Sequence, residues 1–239
     1  MDSLREIISD LHVFMYGGMR ALPITLAGTI VILGLFTANY AMMFFLAGFI
    51  IVTPMLSAIL NKIVDALVLF LANNGGYNIN FFKTKTSDIC NVVIPYSTLA
   101  KPSKTEDQNI LCTTSFAMIC FFLGYMLTNA VSIYGRESGP DADPTKVSNR
   151  KSHAVLSIAS ISVFAIIVVL FRLYADCEPP YVGIITGIII FGLLGKGWYH
   201  MLGDHNEGRL ADLFGISNRI LPASATDDKP VACVLDPNA

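Results

Sequence analysis

Residues 21–61 form a run of 41 residues without a single Asp, Glu, Lys or Arg. A helix of that length would reach about 62 Å at about 1.5 Å per residue. A bilayer's hydrocarbon core is only about 30 Å thick. The run therefore exceeds one crossing, and it lacks the polar stripe on which a soluble core helix meets water. It has to fold back on itself. The only polar-leaning interruption is Thr37-Ala38-Asn39-Tyr40, which places one span at about 20–38 and a second at about 40–60.

Three shorter charge-free windows follow, at 108–135, 152–171 and 179–195. Charged residues make up 14% of the chain, against about 25% in an average soluble domain. Nearly all of them lie outside spans predicted at about 110–134, 153–174 and 181–201. An ordinary water-soluble enzyme is excluded. The expected fold is all-α: a polytopic transmembrane helix bundle of about five spans, preceded by an amphipathic helix at 1–19 and followed by a polar tail at 202–239. Pro23 falls in the first turn of its span, where a missing N–H costs nothing, whereas Pro54 is expected to kink the second span. Ile63–Ala72 is open to three readings: an extension of the second helix, an interfacial segment or a short re-entrant piece.

The polar segments are sizeable. Loop 73–109 has two β-leaning runs, Tyr77–Phe82 and Ile89–Ile94, and residues 135–152 read as a turn-rich loop. Leu4, Ile7, Ile8, Leu11, Phe14 and Met15 recur at helical spacing, opposite a polar face of Arg5, Glu6, Asp10 and His12. The five-span arrangement puts eight Lys and Arg on each side, so the positive-inside rule gives no orientation. Five cysteines define no disulfide framework. Cys90 and Cys177 fall on the same side, which leaves a bridge between them open, and Cys112 and Cys120 read as small apolar packing residues. No Asn-x-Ser/Thr acceptor occurs.

Candidate chemistry is confined to the surfaces, because the span centres carry no ionisable group that would mark an ion or substrate path. Arg150, Lys151, His153, Lys196, His200, Asp204, His205 and Arg209 fall on one side. Histidines beside basic residues suit phosphate-ester chemistry: one His attacks phosphorus, another protonates the leaving group, and cations hold the developing charge. Ser152-His153, and His200 with Asp204 four residues on, resemble parts of the motifs of the type 2 phosphatidic acid phosphatase family. That resemblance implies a membrane lipid-phosphate phosphatase using Arg150, His153, His200, Asp204 and His205. The chain departs from the family pattern at Leu194, where an Arg is expected, and it contains no Arg-Pro pair. No Cys/His spacing suggests a metal site, and neither a cofactor nor a nucleic-acid partner is expected.

Small residues mark helix-packing faces instead. These are Gly183 and Gly187 in a GxxxG pattern, and Cys120, Gly124 and Thr128 at four-residue steps. Trp198 and Tyr199 read as an interfacial aromatic pair. The tail segments Gly215-Ile216-Ser217-Asn218-Arg219-Ile220-Leu221-Pro222 and Pro230-Val231-Ala232-Cys233 resemble tails on membrane proteins of large icosahedral DNA viruses. The resemblance implies a protein of an internal virion membrane beneath a capsid. The expected function is structural: a bilayer protein joined through loop 73–109 or tail 202–239 to a protein partner, such as a capsid protein. A lipid-phosphate phosphatase and a small-solute transporter or channel are the alternatives.

Overall fold

The computed structural model describes residues 2–37, 39–75, 82–84, 90, 108–135, 144–174, 177–179 and 181–203. They form helices α1 (Asp2–Thr37), α2 (Tyr40–Leu46), a π-helical segment (Ala47–Val52), α3 (Thr53–Gly75), α4 (Thr114–Gly135), α5 (Pro144–Tyr174) and α6 (Val182–Gly203). One antiparallel pair, β1 (Lys83–Thr84) and β2 (Gln108–Asn109), lies between α3 and α4. Four helical stretches, Tyr40–Asn74, Thr114–Gly135, Val147–Tyr174 and Val182–Gly203, are long and apolar enough to cross a bilayer, and Ala21–Phe36 is a shorter apolar stretch. The protein is an all-α integral membrane bundle.

The fold-back in the long uncharged window sits at Asn39. Its side-chain oxygen accepts from the Ala41 N–H at 3.0 Å and caps α2. Its own N–H donates to the Gly34 carbonyl at 3.1 Å, closing the end of α1. At Pro54 the structure has a π segment, Ala47–Val52, just ahead of the proline. Proline lacks an N–H and its ring crowds the carbonyl four residues back. The wider turn relieves that crowding, and Thr53 gives both its N–H and its hydroxyl to the Gly48 carbonyl, the latter at 2.8 Å.

Two helices run further than hydropathy suggests. α1 is continuous from Asp2 to Thr37, so the amphipathic stretch and the first span are one helix. α5 begins at Pro144, nine residues before the expected span and inside the segment read as turn-rich loop. The correction has a simple cause: Pro144 stands at the first helical position, where proline starts a helix rather than breaking one. Ile63–Ala72 is helical throughout and continues α3.

α4 is the centre of the bundle, packing chiefly against α6 and α5 and also against α3. Ten of its residues are buried, including Phe116, Ile119, Phe121 and Tyr125. One core cluster joins Phe45, Phe49, Phe121 and Tyr125 with Leu202, and a second joins Phe116, Ile119, Val168, Ile184 and Phe191. The outer faces are apolar: Leu156, Ile166 and Leu170 on α5, and Ile185 and Leu193 on α6, are all more than half exposed. Two exposed hydroxyls of α5 are closed within the helix, Ser157 donating to the His153 carbonyl and Ser162 to that of Ile158. Such internal closure is what a hydrocarbon environment demands.

Candidate functional site

The richest polar constellation lies where α4 begins and α5 hands over to α6. Thr113 caps α4, its hydroxyl oxygen accepting from the Phe116 N–H at 3.3 Å. The Glu178 carboxylate accepts the Thr113 N–H at 2.7 Å and pairs with the Thr113 hydroxyl through its other oxygen. This puts a negative group at the positive end of the α4 dipole. Arg172, in the last turn of α5, reaches the same place: Nη1 donates to Thr113 Oγ1 at 3.3 Å and lies 3.4 Å from Glu178 Oε1. Nη2 donates to Ser115 Oγ at 2.5 Å, and the guanidinium lies 5.9 Å from the centre of the Phe116 ring.

Every member of this set is buried. Burial pushes the Glu178 carboxyl up to about 7, against the attraction of Arg172 and the hydrogen bonds from Thr113. The neighbouring Cys112 is buried as well and is not bonded to another sulfur. An Arg and a carboxylate removed from water cost several kcal/mol each, and only good geometry with further hydrogen bonds offsets that cost. Here the donors and acceptors are spent on each other. The result is a brace that ties the end of α5, the α5–α6 turn and the start of α4 together.

Three further ties surround the brace. Asn61 of α3 receives the Leu111 N–H on its side-chain oxygen at 2.9 Å and donates to the Cys112 carbonyl at 3.0 Å. Asn109 of β2 donates to Asp65 of α3 at 3.2 Å. Cys90 and Cys177 form a disulfide, with Cα atoms 5.3 Å apart and a sequence separation of 87. Cys177 also donates its N–H to the Arg172 carbonyl. Tyr181, with φ 61°, turns the chain from there into α6.

The histidine set is only partly within the described residues: Asp204 and His205 lie outside them, as do the tail from 204 onward and most of loop 73–109. His153 and His200 are both exposed, on α5 and α6, which share little contact because α4 stands between them. Arg150 is half-buried in the second turn of α5. Among the described residues no group of three or more His, Cys, Asp or Glu could hold a metal ion.

The packing glycines behave differently from one another. A Cβ on Gly183 would meet Pro179 Cδ at 2.6 Å, and one on Gly187 would meet Phe116 Cε1 at 2.9 Å. Gly124 abuts the Gly192 backbone and Gly195 abuts Phe121 and Tyr125. Cys120 is buried, and Thr128 donates back to the Gly124 carbonyl at 2.7 Å. Trp198 and Tyr199 turn toward the core: Trp198 gives its indole N–H to the Phe44 carbonyl at 3.2 Å, and Tyr199 packs edge-on against Tyr125.

Compared with protein-family models, characterised proteins and solved structures, the chain matches none. Its function has to be read from its own residues.

The brace was not legible in advance as a site. In the sequence Arg172 is a charge at the end of a span and Glu178 an acid between two spans. The one local signal is a basic and an acidic residue six apart, just ahead of Pro179-Pro180. Nothing local pointed to Thr113, Ser115 or Asn61.

Proposed function

We propose that this chain is a structural multi-pass membrane protein that links a lipid bilayer to a protein layer through loop 73–109 or tail 202–239. The setting implied by the tail resemblance is an internal virion membrane beneath a capsid shell, with a capsid protein as the partner. One observation carries the reading most. The bundle presents apolar faces outward, and the buried charges among the described residues, Arg172 and Glu178, are consumed in holding helix ends together. Groups that serve transport or chemistry must be able to change partners or meet a substrate, whereas groups in a brace must not.

The test is a pair of deletions in the full chain, 222–239 and 91–104, each scored for recovery of the protein layer with isolated membranes. Loss of recovery with either deletion supports a tether at that segment. Unchanged recovery with both rejects the proposal. Phosphate release from a lipid phosphate by the purified chain, abolished by His153→Ala or His200→Ala, would replace it with the phosphatase reading.

A further inference from the structure

We infer that the end of the bundle carrying the Cys90–Cys177 disulfide faces an oxidising compartment, and that the opposite end faces the cytosol. The inference is independent of the proposed tethering role. It supplies the orientation that charge counting leaves open.

The two ends are distinguished by contacts along the chain. Asn61 bonds to Leu111 and Cys112, which puts it level with the start of α4. β1, β2, the brace and the α5–α6 turn carrying Cys177 gather at that same end. At the other end stand the Asn39 turn, the finish of α4 at Gly135, the start of α5 and the finish of α6 at Gly203. Trp198 meeting Phe44, and Leu202 sharing a cluster with Met42, fix α6 and α2 together there.

Disulfides form and persist in oxidising compartments and are rare where glutathione and thioredoxin keep thiols reduced. Closing this one removes two protons and two electrons from the Cys90 and Cys177 thiols. They pass to a protein disulfide of that compartment, which becomes a dithiol. Both cysteines are buried in the folded chain, about 1% exposed, so the bond is sheltered once made. Among the described residues the free thiols are placed differently: Cys112 is buried just ahead of α4 and Cys120 within it, and neither is bonded to another sulfur. The disulfide is what orients the chain.

The chain has no native sequon, so glycosylation mapping starts from a clean background. Ser103→Asn creates an acceptor ending in Thr105 on the disulfide side, and Ser224→Asn creates one ending in Thr226 beyond α6. Each full-length variant is translated into endoplasmic-reticulum microsomes and treated with glycosidase, and a parallel unmodified sample is alkylated before lysis. The expected result is a glycosidase-sensitive shift for Ser103→Asn, none for Ser224→Asn, and protection of Cys90 and Cys177 until reductant is added. A glycan on the Ser224→Asn chain, none on the Ser103→Asn chain, or recovery of Cys90 and Cys177 as free thiols overturns the inference.

Discussion

Gly124 of α4 and Gly192 of α6 are in backbone contact: a side-chain carbon on Gly124 would lie 2.8 Å from the Gly192 Cα and closer still to its carbonyl oxygen. The relation is one-sided, since a Cβ on Gly192 would meet nothing within 4 Å. Gly124→Ala is expected to force α4 and α6 apart and cost about 1–3 kcal/mol, while Gly192→Ala is close to neutral. Thermal unfolding of the two purified variants in detergent checks the contrast. Equal midpoints would mean that the helices do not meet through Gly124.

Breaking the brace from one side leaves a buried charge without its partner. Arg172→Leu or Glu178→Leu is expected to destabilise the chain by about 3–5 kcal/mol. The double variant Arg172→Leu/Glu178→Leu, which removes both charges, should recover a large part of that loss. A double-mutant cycle on detergent unfolding midpoints measures it. Additive losses would show that the two groups do not act as a pair.

Acidity should act through the same carboxyl. Its folded value of about 7 stands above the ordinary 4.5, so the folded chain holds the proton more tightly than the unfolded one. The contribution is fully present below about 4.5 and is lost as pH rises through about 7. Unfolding midpoints are therefore expected to fall between pH 5 and pH 8. Glu178→Gln, which cannot ionise, should flatten that part of the profile. A midpoint that rises over the same interval would reverse the assignment.

Reduction of the disulfide should loosen the polar end without dissolving the bundle. Closing a long loop is worth about 2–4 kcal/mol in general, and less where helices inside the loop already restrict the chain. The lower figure, about 2 kcal/mol, is expected for Cys90→Ser. Protease sensitivity of the variant should increase between Gly75 and Gln108, while α4 and α6 stay protected. Limited proteolysis followed by mass mapping checks this.

The spans were legible because a bilayer excludes charge, and that exclusion is written directly into windows such as 152–171. Helix ends were not, because what lets a helix continue outside the hydrocarbon is different from what lets it enter. The stretch from Pro144 to Ser152 is polar, so hydropathy discards it, yet α5 runs through it without a break. The fold-back at Asn39 was readable because a cap and a loss of hydrophobicity coincide there. Arg172, Glu178 and Thr113 were hidden for a third reason. Thr113 lies 59 residues from Arg172 and 65 from Glu178, and no periodicity links residues that meet only after three helices have packed.

The π segment at Ala47–Val52 adds in effect one residue to an otherwise continuous helix from Tyr40 to Gly75. One residue turns an α-helix by about 100°. Everything after it is therefore clocked by a single position relative to everything before. Deleting any one residue from 47–52 would leave a smoother, more regular helix. It would also swing Asn61 away from Leu111 and Cys112, and turn Thr53 and Ser57 out of the interior. The irregular turn is the register key of the bundle: regularity at that point would detach α3 from the polar end it is there to hold.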